Sequence, residues 1–197
     1  MITNIFDELQ ADDATMARLH RKLEHDAVSD GVLDVAYRTI DTPVGTLLLA
    51  STTVGLVRVA YDIEGHDAVL TRLADVVSPR ILRAPERLDA AARQIDEYFA
   101  KRRTTFDLPV DLRLTDGFRR VVVEHLRDIA YGDRESYAAV AAAVGSPKAV
   151  RAVGTACARN PLPVVIPCHR VVRSDGSTGQ YAGGAPAKSA LLNLEAA

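Results

Sequence analysis

Apolar residues fall into two rhythms along this chain. Over residues 1–27 they come at Ile2, Ile5, Phe6 and Leu9, then at Met16, Leu19 and Leu23. Steps of three and four gather them on one side, so a short docking helix or pair of helices is expected. From Asp34 the rhythm changes to alternation. "DVAYRTI", "TLLLA" and "GLVRVAY" read as three strands, separated by turn signals at Asp41–Gly45 and Thr53–Gly55. "HDAVLTRLADVV" returns to helical spacing. Leu88, Ala91, Ala92, Ile95, Tyr98 and Phe99 share the face of a further helix, and "TFDLPV" predicts a short strand. Residues 34–114 therefore read as an α/β domain with its own core, preceded by an extension over 1–33.

A second, mostly helical unit is expected over 115–197. "FRRVVVEHLRDIA" has a helical pattern that stops at Tyr131-Gly132-Asp133. "SYAAVAAAV" predicts a second helix with Ser136 as its N-cap and Gly145 just past its end. Ser146 then offers another N-cap and Pro147 a first helical position, opening a third helix over "PKAVRAVGTACA". Two helices around a four-residue break have the helix-turn-helix layout, although an ordinary helical hairpin has the same pattern. The third helix is rich in Ala and Gly, including Ala152 and Gly154, and carries Arg151 near its start. Such a backbone can approach a surface closely while one long cation reaches out.

Length and composition fit a folded chain: 197 residues, 48% hydrophobic and 25% charged. The N-terminal stretch "MITNIFDELQADD" lacks the apolar core of a signal peptide, and no run is long enough to span a membrane, so a cytoplasmic location is expected. Two cysteines do not make a disulfide framework and fit a reducing compartment. The two cysteines and five histidines show no close metal-ligand spacing, and no phosphate-binding glycine loop is present. The net charge of −2 is unevenly spread. Residues 115–197 hold ten Lys/Arg against seven Asp/Glu, a balance of +3, which leaves −5 on the first 114. Only the C-terminal unit is suited to face phosphates.

The candidate chemistry lies in "NPLPVVIPCHRVV". Prolines at 161, 163 and 167 favour an extended course, and Val164, Val165 and Ile166 are β-branched, so a buried strand delivering Cys168 is expected. A thiolate is the reactive form of cysteine, and His169 and Arg170 lie beside it in sequence to favour that form. In a continuous strand Cys168 and His169 would point to opposite faces, so a bend or bridging water is needed. Taken alone, Cys168 also reads as an inert buried thiol, His169 as a core histidine and Cys157 as a packing residue.

The Pro-Cys-His-Arg core, together with "YGDRESY", "SPKAVRAVG", "ARNP", "GQYAGG" and "KSALLNLE" in that order, resembles the methylated-DNA–protein-cysteine methyltransferases, the O6-alkylguanine-DNA alkyltransferase family. The resemblance is strong over 115–197, looser over 34–114 and absent from 1–33. It implies a ribonuclease-H-like α/β domain followed by a mostly α DNA-binding domain with a helix-turn-helix. It also implies DNA repair by single-turnover transfer of an alkyl group from flipped-out O6-alkylguanine, with O4-alkylthymine as a second candidate substrate, without a cofactor or metal. By that resemblance Cys168 is the acceptor, His169 its base through a water, and Glu195 the acid orienting His169. Asn160 joins the reading helix to the active-site segment, and Arg151 enters the base stack with Ala152 and Gly154 beside it. Tyr137 pushes the target phosphate and contacts the base; Ser146 and Ser174 meet the DNA backbone. Val171, Tyr181, Ala182 and Gly183 wall the base pocket, with the carbonyls of Cys168 and Val171 accepting from the guanine amine. The implied partner is double-stranded DNA bearing the lesion, met by a monomer with no membrane contact. A non-repairing, alkyltransferase-like lesion sensor, a helix-turn-helix regulator with a cysteine switch and a cysteine hydrolase are the other classes these residues admit. Val123 stands where the family often has Trp, and Ala182 where some members have Ser.

Overall fold

The computed structural model describes residues 12–196. Helix α1 (Asp13–Ser29) opens with the Asp12 carboxylate accepting from the Thr15 N–H at 2.6 Å. None of its residues is buried, and Met16, Leu19 and Leu23 face outward. The expected apolar positions Ile2, Ile5, Phe6 and Leu9 lie outside the described residues.

The three predicted strands, β1 (Val35–Ile40), β2 (Leu47–Ser51) and β3 (Leu56–Tyr61), pair as an antiparallel meander. After α2 (His66–Val76), a three-residue strand β4 (Ile81–Arg83) joins β1 in parallel, giving the order β3-β2-β1-β4. Alternation sorts the sheet residues onto two apolar faces. Val35, Leu48, Ala50, Val57 and Ala60 pack with Val69 and Leu73 of α2. Ala36, Leu47, Leu49, Val59 and Tyr61 pack towards α3 (Asp89–Phe99) and the C-terminal half. Both faces are covered, which is why every residue of β2 is buried. The strand expected over "TFDLPV" is reduced to one parallel bridge between Leu56 and Val110. The bridge consists of the Leu56 N–H donating to the Pro109 carbonyl at 2.9 Å and the Asp111 N–H donating to the Leu56 carbonyl at 2.8 Å, and Pro109 itself has no N–H to extend it.

The C-terminal half contains α4 (Gly117–Leu126), α5 (Tyr137–Ala143), α6 (Val150–Ala158) and α7 (Gly184–Glu195), with a small parallel pair β5 (Glu135–Ser136) and β6 (Val171–Val172). Ser136 caps α5 as expected, accepting from the Ala139 N–H at 3.0 Å. The start of α6 differs from the sequence reading. The Ser146 N–H donates back to the Ala141 carbonyl and the Gly145 N–H to Ala142, at 2.8 and 3.0 Å. This pair of bonds closes the end of α5, so Ser146 finishes one helix instead of capping the next. A turn from Ser146 to Ala149 follows, and α6 begins at Val150.

The active-site segment also departs from expectation: 161–167 is not a strand. The Asn160 Oδ1 accepts from the Leu162 N–H at 3.0 Å, the Ile166 N–H donates to Leu162 at 2.8 Å, and Val164 adopts φ +73°. Three prolines remove the donors that a ladder would need, so the segment winds into successive turns instead. It ends in a 3₁₀ turn, Cys168–Arg170. The N-terminal sheet holds it in place, because the Val59 N–H donates to the Pro161 carbonyl at 2.8 Å. One apolar core runs from Leu47 and Leu49 through Ile95 to Val122, Val153 and Leu191.

Replacing Leu47 by Ala should therefore destabilise the protein by about 2–5 kcal/mol, whereas Leu19→Ala on α1 should change it by less than about 0.5 kcal/mol. Urea unfolding followed by circular dichroism measures both; similar losses would show that α1 buries more than its exposed surface indicates.

Candidate active site

The 3₁₀ turn places Cys168 and His169 about 120° apart around a tight axis instead of on opposite faces of a strand. Cys168 is 1% exposed. The Asn160 amide donates to its Sγ at 3.1 Å and to the Ile166 carbonyl at 2.8 Å, while its oxygen receives Leu162. Asn160 thus fixes the turn and touches the sulfur with one side chain. Burial pushes the Cys168 thiol up to about 11; the Asn160 bond and the Lys188 charge act against that rise. In this closed conformation the sulfur carries its proton at neutral pH.

His169 is fully buried, and its Nε2 lies 2.9 Å from Glu195 Oε1. Burial lowers its pKa, opposed by the Glu195 hydrogen bond and charge. A carboxylate can only accept, so the neutral ring carries its hydrogen on Nε2. Its Nδ1 is then a bare lone pair, buried and without a partner among the described residues. Glu195 is gripped from several directions. The Tyr98 hydroxyl donates to Oε1 at 2.7 Å, Arg170 Nη2 to Oε1 at 2.8 Å and Arg170 Nε to Oε2 at 2.9 Å. Burial alone would raise its pKa; the bonds from His169 and Arg170 override this and hold the carboxyl well below the usual range. Arg170 is committed to Glu195, so it does not serve the sulfur.

Lys188, Tyr98 and Tyr61 were absent from the sequence-derived site. Lys188 is 0% exposed; its Nζ donates to the Val171 carbonyl at 2.6 Å and lies 5.7 Å from the Tyr137 ring centre. The Val171 carbonyl, expected to receive the guanine amine, already holds this ammonium. Burial lowers the Lys188 pKa, with Cys168 and Cys157 acting the other way. A signal for Lys188 existed in the sequence: 188, 191, 192 and 195 share one helical face, so a lysine there enters the interior with Glu195. Tyr61 and Tyr98 come from the N-terminal half, and no local pattern ties them to Cys168.

The remaining predicted residues divide into two groups. Tyr137 and Tyr181 lie near the sulfur, and Val171 follows the 3₁₀ turn with its carbonyl on Lys188; ionisation of either tyrosine is opposed chiefly by burial and also by Cys168, and burial pushes Tyr137 up to about 12. The Tyr181 hydroxyl meets that of Tyr61 at 3.0 Å. The loop through Ala182 and Gly183 lies so close that a Cβ on Gly183 would sit 2.6 Å from the Tyr61 ring, and one on Gly179 2.2 Å from the Tyr137 oxygen. Arg151, Ala152 and Gly154 lie on α6 away from the sulfur. Val153, Ala156 and Cys157 face the core, and Arg151, Ala152, Thr155 and Ala158 form the exposed face. Ser146 and Ser174 lie in surface turns. Among the described residues no group of three potential metal ligands occurs, and no helix is long and apolar enough to cross a membrane.

Two family models match, the ribonuclease-like domain of 6-O-methylguanine DNA methyltransferase over residues 35–112 and its DNA-binding domain over 117–197. This chain belongs to the 6-O-methylguanine DNA methyltransferase family. A methylated-DNA–protein-cysteine methyltransferase of Mycobacterium tuberculosis is 39% identical over 167 residues, covering 82% of this chain and 92% of the relative. A constitutive Bacillus subtilis protein of that name is 41% identical over 160 residues, covering 81% and 94%. The crystal structure of Mycobacterium tuberculosis OGT in complex with DNA is similar with TM-score 0.71 and 36% identity, covering 82% of this chain and 92% of that one. The two-domain family fold matches the sheet-plus-helices and helical halves described above, and this family member has a DNA-binding domain.

The Glu195 cluster makes a pH-dependent contribution to stability. Its folded pKa is depressed, so the contribution is complete above the ordinary value of 4.5 and is lost as the pH falls through that value towards the folded one. Glu195→Gln should cost about 3–5 kcal/mol at pH 7 by stranding buried Arg170, and the gap to the native protein should narrow below about pH 4.5. Urea midpoints from pH 3 to pH 8 provide the measurement; a gap independent of pH would show that the carboxylate charge is not what Arg170 needs.

Proposed function

We propose that this protein repairs DNA by one irreversible transfer of an alkyl group from O6-alkylguanine to Cys168. The observation that carries this reading is the pairing of Asn160 on Sγ with a neutral His169 whose free Nδ1 is backed by Glu195. A water between Sγ and Nδ1 would pass the thiol proton to His169, and Glu195 would stabilise the resulting imidazolium. Asn160 and Lys188 would hold the thiolate. Sulfur then attacks the saturated carbon in line with its bond to O6: the S–C bond forms, the C–O6 bond breaks, and the electron pair leaves on the guanine. The Tyr137 hydroxyl would donate a hydrogen bond as that charge develops, and the proton held on His169 would return through water to the guanine anion. The product is a thioether that water does not cleave, so each molecule acts once.

The lesion sits inside the duplex, so the base must be everted. We read α5, the turn and α6 as a helix-turn-helix. The small residues Ala152, Gly154 and Ala158 let α6 lie close to the DNA, with Arg151 filling the space the base leaves and Ser146 and Ser174 on the backbone. Tyr181, Ala182, Gly183 and Val171 would wall the base pocket. Cys168 is covered in this conformation, so the loop over 173–183 has to yield as the base enters. The lesion-sensor reading is weaker, because Cys168 is present with its supporting residues intact. A monomer suffices for this chemistry, with 34–114 as scaffold and 115–197 as the working domain.

A duplex containing O6-methylguanine should add one methyl mass to the peptide holding Cys168, and Cys168→Ala should remove that gain while retaining DNA binding. Intact-mass measurement decides; a gain that persists in the alanine variant would reassign the nucleophile. Arg151→Ala should slow repair of the duplex by at least about tenfold while leaving reaction with a free O6-alkylguanine base nearly unchanged, since only the duplex must be opened. Equal losses on both substrates would remove Arg151 from base eversion.

A further inference from the structure

A groove of about 760 Å³ lies where the N-terminal half meets the end of α6. Its walls come from β3, α2, the segment before α4, the first turn of α4 and the chain leaving α6. Five arginines line it (Arg58, Arg72, Arg113, Arg119 and Arg159) against one carboxylate, Glu64. Asp111 and Asp116 pair two of these arginines from just outside the lining, which leaves a local excess of two positive charges in a chain of net charge −2.

Three of the five are held in position. Arg58 is paired with Glu64 and also donates to the Val59 and Pro161 carbonyls. Arg113 is paired with Asp111 at 2.7 Å. Arg119 donates to the Leu114 carbonyl at 2.9 Å and to Asp116 at 3.1 Å, and its buried Nε has no acceptor among the described residues. Arg72 on α2 and Arg159 at the end of α6 are exposed, and among the described residues their side chains take no hydrogen bond or ion pair. Glu64, Asp111 and Asp116 offset the charges of the three ordered arginines, so the free positive charge of the groove is carried by two uncommitted guanidinium groups, Arg72 and Arg159. Guanidinium groups match phosphate oxygens in both charge and geometry.

Position argues for the same ligand. Arg159 is eight residues beyond Arg151, about 12 Å along the helix axis, or between three and four base steps of a strand at 3.4 Å each. The exposed face of α6 thus leads to an arginine that lines the groove, and a duplex lying along the helix would reach Arg159 at its end. We propose that this groove binds backbone phosphates of the DNA flanking the lesion, so that Arg72 makes the N-terminal half part of the DNA interface. The proposal rests on the repair reading and extends it, since none of these arginines is among the contacts the family resemblance implies.

The test measures binding of an unmodified duplex across a salt series. Arg72→Ala with Arg159→Ala should weaken binding several-fold at physiological salt and reduce the slope of log K against log salt by about two. Arg72→Lys with Arg159→Lys should keep most of the slope. Arg93→Ala, on α3 outside the groove, should leave both unchanged. All variants should still take the alkyl group from a free O6-alkylguanine base at the native rate, which shows that the fold and Cys168 are intact. An unaltered affinity and slope in the double alanine variant would overturn the proposal, as would an equal effect from Arg93→Ala. Failure of the native protein to gain mass from alkylated DNA would instead overturn the repair reading, so the two are separable.

Discussion

The buried carboxylate of Glu195 is the constraint on which the rest of the site depends. A charge removed from water is costly unless donors surround it, and here they come from distant parts of the chain: Tyr98 on α3, and His169 and Arg170 on the 3₁₀ turn. α7 supplies the acid itself, so the end of the last helix, the nucleophile's turn and the N-terminal half are locked in one arrangement. Loss of one partner leaves the others desolvated and unpaired. The same bond fixes the tautomer of His169, and so ties the structural role of this cluster to its proposed role in proton transfer.

At Cys168 two requirements oppose each other. A closed site, cut off from water, strengthens every electrostatic contact in it, but the same burial disfavours the thiolate. Asn160 and Lys188 bear on the sulfur with a hydrogen bond and a positive charge, and His169 keeps a buried Nδ1 lone pair without a partner among the described residues. These contacts oppose the burial without cancelling it, so the thiol stays above its ordinary value. The close contacts of Gly179 with Tyr137 and of Gly183 with Tyr61 mark the covering loop as the part of the site with no room for larger residues.

α6 divides its work by face. Val153, Ala156 and Cys157 seal the core, while small side chains and Arg151 occupy the outer side. Immediately beyond its end, Asn160 reaches the sulfur and Arg159 reaches the arginine groove. A shift of this helix would therefore be felt directly at Cys168, through one residue that belongs to both the helix end and the turn carrying the sulfur.

The sequence by itself determined what depends on near neighbours. Alternation marked β1 to β3, spacing marked α2 and α3, Ser136 marked the start of α5, and the cluster Asn160, Cys168 and His169 was visible within ten residues. Where two local signals competed, the outcome was not visible: Ser146 closed α5 instead of capping α6, and β-branched residues among prolines wound into turns instead of a strand. Only tertiary structure decided that Tyr98 meets Glu195 across 97 positions, that Lys188 points at the Val171 carbonyl, and that arginines from both halves share one groove. The reason is physical. Local preferences act over a turn or two of chain, whereas a buried charge finds its donors only after the apolar faces have closed, and those faces carry no record in sequence of which distant polar atom they will enclose.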